Sequence, residues 1–539
     1  MKFKIDVKDE HYRKVEDMSL SQLLSIICCP NYMFESDDLT YGNTATAFIH
    51  DGNVEFHKVM TEKVGKRSTF PPFFCTDLEA GPGTMIHGAT EFPSLFSCSV
   101  TGNPEYAYEM GKIAALEGRA VGYNWTLGPA VDIVANPDTP TTSNRGAGMS
   151  PDEAINFGVA YIKGCQDYGM IATAKHFPGD GFGIYDQHLT TPEIPLTMEE
   201  WWNTSGRVYK EVIEAGVMSI MPGHLSFPAF DKPCEENGLY PPATISENLL
   251  TNLLKKELGF DGIIISDAVE MVGFSGFMNY YEACAKFIEY GGDILLFAKP
   301  DKKMHDNFVE MLNNHVVSLK NIRERAARVL AFKDQINHQF KGLSGTYNIE
   351  DHKIMAQKVI DSSIRVVRDR KKILPIKNSK SKRVLHLIVS IPNFKQLELL
   401  EAFKPELEKY FKSVEQWVDP GNKKVMDAIE NNLFDVIICS VGNDYNFGTN
   451  VIRLNGTQSR NLMGGWVHSG VDVLFISHFH PFTHLEYKAL MSTVINTNGT
   501  VKNTLGILAE KIIGISPLEA WGKYCSPRDW TLREWLDRI

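Results

Sequence analysis

The segment Lys175-His176-Phe177-Pro178-Gly179-Asp180-Gly181, followed by Asp186-Gln187-His188, is the densest run of chemistry-bearing side chains in the sequence. Pro178, Gly179, Gly181 and Gly183 mark it as a turn-rich loop and not a helix. Asp186 and His188 stand two apart, a spacing that diverges on a helix but lets the side chains meet on a curved loop. A carboxylate bonded to one imidazole nitrogen orients the ring and fixes its tautomer, and the other nitrogen is then free to give and take a proton. The plain alternative is a solvated loop with unrelated polar residues.

Asp267 closes the run Gly262-Ile263-Ile264-Ile265-Ser266-Asp267. An acid at the end of so apolar a strand costs solvation unless it is hydrogen-bonded or exposed at a rim. It reads as nucleophile, general base or metal ligand, or, structurally, as a helix N-cap. Asp77, in Thr76-Asp77-Leu78-Glu79-Ala80-Gly81, poses the same choice. Arg145, in Asn144-Arg145-Gly146, follows the turn-like Pro137-Asp138-Thr139-Pro140 and offers a planar fork for sugar hydroxyls or a carboxylate, or a solvated surface charge. His224, in Met221-Pro222-Gly223-His224, is similarly open. Glu270 and Asp261 read as structural or rim charges.

These residues share a position: each lies where a short apolar segment ends. The segments are Phe73–Thr76, Val131–Ile133, Met170–Ala174, Val217–Met221, Gly262–Ile265 and Ile294–Phe297. Helix-length patterns separate them, at Glu105–Glu117, Pro151–Tyr168, Met198–Ala215, Ser246–Leu258 and Tyr280–Tyr290, after an opening helix within 17–31. Strands alternating with helices predict a parallel sheet. So many strand ends within about 300 residues favour a (β/α)8 barrel, whose strand ends all face one rim, over a doubly wound sheet.

A Gly-containing break near 341–347 ends this series. The sequence thus divides into a TIM-like barrel over 1–340, a linker and lead-in helix over 341–360, and a smaller αβα sandwich over 361–539. Strands are expected in the sandwich at Ile364–Val367, Ile373–Pro375, Val384–Val389, Phe434–Ser440, Val471–Ile476 and Thr493–Asn496. Helices are expected at Lys353–Ile360, Phe394–Tyr410, Val425–Asn431 and Glu486–Leu490.

The 539 residues are 43% hydrophobic and 22% charged, a globular balance that excludes a wholly disordered chain. Lys and Arg number 55 against 66 Asp and Glu, a net charge of −11, which disfavours nucleic-acid or anionic-membrane partners. No run approaches the roughly 18 apolar residues of a spanning helix. The charged start lacks the apolar core of a secretory signal. Nine cysteines without a CxxC pair fit free thiols in a reducing cytoplasm. His478-Phe479-His480, with His484 nearby, lacks a completing carboxylate or cysteine, so no metal is expected. The Gly179, Gly181 and Gly183 alternation is neither a GxGxxG fingerprint nor a phosphate loop, and no cofactor is expected.

Together these motifs resemble glycoside hydrolase family 3, in particular its β-N-acetylglucosaminidase branch. The residues that carry the likeness are Asp77 with Glu79-Ala80-Gly81-Pro82-Gly83, Gly128-Pro129-Ala130-Val131-Asp132-Ile133, Asn144-Arg145, Lys175-His176-Phe177-Pro178-Gly179, Asp186-Gln187-His188, Met221-Pro222-Gly223-His224, Pro242-Ala243-Thr244-Ile245-Ser246 and Gly259-Phe260-Asp261-Gly262 leading to Ser266-Asp267. The resemblance implies Asp267 as carboxylate nucleophile, His188 as acid/base on a mobile loop with Asp186 as its partner, Asp77, Arg145, Lys175 and His176 as ligands of the non-reducing sugar, and His224 as a further substrate-binding residue near that pocket. It implies an exo-acting retaining enzyme on an oligosaccharide or other small glycoside. The rivals are a phosphorylase on the same substrates, a β-glucosidase of the family, and an inactive carbohydrate-binding protein. Asp180 stands where the family often has a second His, Gln187 where it often has Ser, and Leu78-Glu79-Ala80-Gly81 where it usually has Gln-Glu-Gly-Gly. A homodimer is compatible with the chain but not legible in it.

Overall fold

The computed structural model describes residues 1–33, 43–235, 237–343, 345–390, 394–444, 448, 454, 460–462, 465–487, 489–521 and 535–536. Eight parallel strands form the first layer: β1 (Cys28–Cys29 and Asn31–Tyr32), β2 (Thr46–Ile49), β3 (Phe73–Thr76), β4 (Trp125–Thr126), β5 (Ile171–Phe177), β6 (Ser219–Pro222), β7 (Ile263–Ile264) and β8 (Leu295–Leu296). Each pairs with the next in sequence, from Asn31↔Phe48 round to Ile263↔Ser219, and the Ile265↔Ile294 bridge links β7 to β8. The ring closes through β1. Its first half pairs with β8 at Cys28↔Leu295, and its second half, beyond Pro30, pairs with β2.

Strands buried on both faces read as continuous apolar runs, as Phe73–Thr76 does. Outside them, helix Glu105–Ala120 lies on helix Pro151–Asp167. The two backbones meet at Gly111 and Gly164. A Cβ there would stand 2.3 Å from the Tyr161 carbonyl oxygen and 2.1 Å from that of Tyr108, respectively, so only glycine permits this packing. Because the strands are parallel, their C-terminal ends share one rim.

The expected barrel is present, with local differences. The opening helix stops at Ile27, where Cys28 turns extended and begins β1. β2 was not anticipated. The fourth strand is Trp125–Thr126. The expected Val131–Ile133 is a loop beyond Gly128-Pro129 that makes only isolated bridges at Ala130 and Ile133. Met198–Ala215 is two helices, broken at Thr204, whose ψ of −105° leaves the helical region.

After the long helix Leu319–Gln339, helix Ile349–Ser363 leads into a mixed sheet. Its strands are β9 (Arg365–Asp369), β10 (Arg383–Ser390), β11 (Ser413–Val418), β12 (Val436–Gly442), β13 (Asp472–Ser477), β14 (Thr493–Asn496) and β15 (Glu519–Ala520), in the order β11-β10-β12-β13-β14-β9-β15. The two cores separate by strand parity. Leu385, Leu387, Ile437 and Cys439 face the helix Asn422–Glu430, whereas Val384, Val436, Ile438 and Leu474 face helices Phe403–Glu408 and Lys502–Ile513. β11 was not anticipated. Ile373–Pro375 is a turn held by Asp369, which accepts the N–H groups of Ile373 and Leu374. The short helix near 486 is Thr483–Glu486, not Glu486–Leu490. Eight cysteines are free, and Cys525 lies outside the described residues.

A buried polar chain crosses this second sheet. Ser440 Oγ lies 2.9 Å from both His386 Nε2 and His478 Nε2, while Gln416 and Thr500 take the two Nδ1 atoms. Burial pushes His386 down to about 4 and His478 to about 3, from an ordinary 6.5. Below pH 6.5 the unfolded chain therefore binds protons that the folded chain refuses, so stability falls as the pH drops toward those lower values. The thermal midpoint of the second domain should fall between pH 7 and pH 5, less steeply in His478→Gln. Equal slopes in scanning calorimetry would contradict the assignment.

Candidate active site

A cavity of about 500 Å³ opens at the C-terminal rim of the barrel. Six residues singled out from sequence line it: Asp77, Arg145, Lys175, His176, His188 and Asp267. Each follows or ends a strand, as the barrel rule requires. Asp77 follows β3, Lys175 and His176 end β5, and Asp267 follows β7.

Three ionic groupings organise the floor. Glu79 accepts Arg145 Nε at 2.7 Å and Lys175 Nζ at 2.8 Å, and Lys175 also reaches Asp77 at 2.9 Å. Burial opposes ionisation of Glu79, but the two cations outweigh it and hold the carboxyl far below the usual range. Asp132 anchors the second grouping. It accepts the His176 ring at 2.8 Å and the backbone N–H groups of His176 and Asp180 at 3.0 and 2.9 Å. The third is the loop pair: Asp186 Oδ1 lies 2.6 Å from His188 Nδ1 and also accepts the His188 N–H. Asp186 is fully buried behind the ring and does not itself line the cavity.

Asp267 is the exceptional carboxylate. Its Oδ1 accepts the Ala268 N–H at 2.8 Å, and its buried Oδ2 has no hydrogen-bond partner. His176 Nε2 lies 3.9 Å from Oδ2. Burial raises the pKa of Asp267, but attraction to His176, His224 and His188 more than offsets it, so the group stays ionised below its ordinary value. His176 in turn is opposed by burial and held above its ordinary value by Asp132.

His224 departs from expectation. It is fully buried and does not line the cavity. Burial lowers its pKa, with the nearby Asp267 opposing, while Nε2 donates to the Ala268 carbonyl at 3.0 Å and Nδ1 lies 3.0 Å from the Thr244 hydroxyl. It therefore braces the residue whose N–H caps Asp267. Gln187 accepts the His224 N–H, and Asp180 is buried against Thr141, so these two of the three departures from the family pattern are used inside the fold. His478 and His480 point to different partners, Ser440 and Ser143.

Sequence reasoning passed over Asp132 and Glu79 as functional residues, and it placed Glu270, which lines the cavity, among the rim charges. Asp132 had a signal, an acid within the apolar Ala130–Ile133 stretch. Glu79 had none beyond its nearness to Asp77, because its role exists only once β3 and β5 are neighbours through β4.

A parallel eight-stranded barrel with charged groups gathered at its C-terminal rim is an architecture that many enzymes share, glycoside hydrolases among them. Residues 50–332, over half of the chain, match the model of the glycosyl hydrolase family 3 N terminal domain, and the chain belongs to that family. It is 27% identical to the β-N-acetylglucosaminidase/β-glucosidase of Cellulomonas fimi, over 96% of this chain and 94% of that protein. A β-hexosaminidase of Glaesserella parasuis is 30% identical over 48% of this chain and 72% of its own length. Among solved structures, β-glucoside phosphorylase BglX bound to 2FGlc superposes with a TM-score of 0.87 at 26% identity, covering 98% of both chains. A family 3 β-N-acetylglucosaminidase from Paenibacillus sp. str. FPU-7 gives 0.79 at 22% identity, over 95% of this chain and 99% of that one.

Removing one member of a buried ion set leaves the others uncompensated. Glu79→Ala should therefore lower barrel stability by about 3 kcal/mol in urea denaturation. Unchanged stability would show that Arg145 and Lys175 do not depend on it.

Proposed function

We propose that the chain is a retaining exo-β-N-acetylglucosaminidase that releases terminal N-acetylglucosamine from β-linked oligosaccharides or cell-wall fragments. The observation that carries the reading is Asp267 Oδ2: a buried, ionised carboxylate oxygen with no hydrogen-bond partner, in the same cavity as an imidazole braced by Asp186. The activities for which the Cellulomonas fimi and Glaesserella parasuis relatives are named agree with it. Asp267 attacks the anomeric carbon while His188 donates a proton to the leaving oxygen. A sugar ester forms on Asp267, His188 then takes a proton from water, and that water releases the sugar with its configuration retained. Asp77, Arg145, Lys175 and His176 hold the sugar hydroxyls. Residues 1–340 carry the chemistry, 341–360 link, and 361–539 form the companion domain. The cytoplasm, with its reduced thiols, is the proposed location.

Phosphorolysis is the second reading, favoured by the likeness to the β-glucoside phosphorylase across both full chains and by an imidazole that does not repel an incoming anion. Charge in the cavity weighs against it. Arg145 and Lys175 are ion-paired with Glu79 and Asp77, and Asp267 and Glu270 add negative charge. Water, being neutral, meets no such barrier.

Turnover of 4-nitrophenyl β-N-acetylglucosaminide should exceed that of the β-glucoside, and free N-acetylglucosamine should stay the main product in phosphate buffer. A sugar 1-phosphate as main product would replace hydrolysis with phosphorolysis, and preference for the glucoside would overturn the substrate. Asp267→Ala should lose at least about a thousand-fold in kcat while retaining much of its ligand affinity, and Asp186→Asn about a hundred-fold. Undiminished turnover in Asp267→Ala would remove it from the nucleophile role.

A further inference from the structure

Arg145 sits on a tight turn. Its own N–H and that of Gly146 both return to the Thr142 carbonyl, at 2.7 and 3.0 Å. The guanidinium also reaches back to the Thr141 carbonyl at 3.2 Å, and the Thr141 hydroxyl is bonded to Asp180. The residue inside the turn is Ser143, almost fully buried, and its hydroxyl lies 2.9 Å from His480 Nδ1. His480 belongs to the second domain. It follows β13, its N–H donates to the Asn443 carbonyl at 2.8 Å, and its own carbonyl accepts the Ser477 hydroxyl at 2.6 Å. Around this contact the domains share an apolar cluster of Phe96, Val134, Met149 and Phe482. The other catalytic loop is touched from the same side, because the Gly448 N–H donates to Asp186 Oδ2 at 2.8 Å.

We propose that His480 is a positioning residue for the active site: through Ser143 it fixes the turn that presents Arg145, so this residue of the second domain sets the geometry of the sugar pocket without itself touching the sugar. This rests on the reading of Arg145 as a substrate-binding residue. A hydrogen bond between two almost fully buried groups holds a loop tightly, because each would otherwise be left unsatisfied. A shift of about an ångström in a group that orients substrate is enough to change catalysis measurably, even when the mutated residue is remote from the chemistry. The His-x-His pair thereby divides its labour, with His478 inside the second sheet and His480 across the domain boundary.

The test compares Ser143→Ala, His480→Ala, the double variant, His480→Asn and Arg145→Lys in the full chain, with 4-nitrophenyl β-N-acetylglucosaminide. A tether that acts through Arg145 should raise KM about ten-fold in Ser143→Ala and in His480→Ala, with kcat within about two-fold of the parent. The double variant should be no worse than either single one. Asn places an amide where His carries Nδ1, so His480→Asn should restore most of the loss, a rescue that mere packing would not give. Ser143→Ala removes a single oxygen from the barrel side and decides the case if His480→Ala does not fold. Parent KM in both single variants, with KM raised in Arg145→Lys, would overturn the tether alone. Parent KM in Arg145→Lys as well would overturn the role of Arg145 and the tether with it.

Discussion

Everything at the rim depends on keeping a carboxylate ionised where water is scarce. Asp267 is buried, and one of its oxygens has no hydrogen-bond partner. Such a group would take up a proton unless positive charge faced it. Attraction to His176 leads the causes that keep it ionised, and Asp132 holds His176 in place and raises its pKa against the burial that lowers it. Asp132 also binds the backbone of His176 and Asp180, so the interaction that tunes Asp267, the proposed nucleophile, also shapes the loop that carries His188, the proposed acid/base. The barrel is the means by which residues from β3, β5 and β7 reach this common electrostatic arrangement.

The sequence disclosed a good deal of this and concealed the rest for physical reasons. Acids and histidines after apolar runs were visible because burial of polar groups is costly and short apolar strands have a recognisable length. Those cues located β3, β5, β6 and β7 and six of the cavity's residues. β1 was lost inside an opening helix, since Ile26, Ile27, Cys28 and Cys29 form one apolar run and only the change at Cys28 separates helix from strand. Glu79 and Asp132 act through partners 66 and 44 or more residues away, and such contacts leave no local pattern. His224 misled because a histidine after a strand looks the same whether its ring faces a ligand or a carbonyl.

The second domain changes meaning once the contacts are seen. From the sequence it is a smaller sandwich in which no residue can be assigned to catalysis. In the fold it reaches both loops that matter, at Ser143 and at Asp186, while an apolar cluster including Phe96 and Phe482 seals the boundary beside them. The proposed catalytic groups lie within the barrel, Asp267 just after its strand and His188 on the loop beyond β5. The loops bearing Arg145 and Asp186 lie outside the strands and hydrogen-bond to the second domain.

The central claim is that Asp267 forms a covalent bond to the sugar. The most direct measurement is mass spectrometry of the protein quenched during reaction with a 5-fluoro N-acetylglucosaminyl fluoride, which slows breakdown of the ester. The account predicts one added sugar per chain, mapped by peptide digestion to Asp267. A label on Glu270 or another carboxylate, or no adduct together with an inverted product, would contradict it.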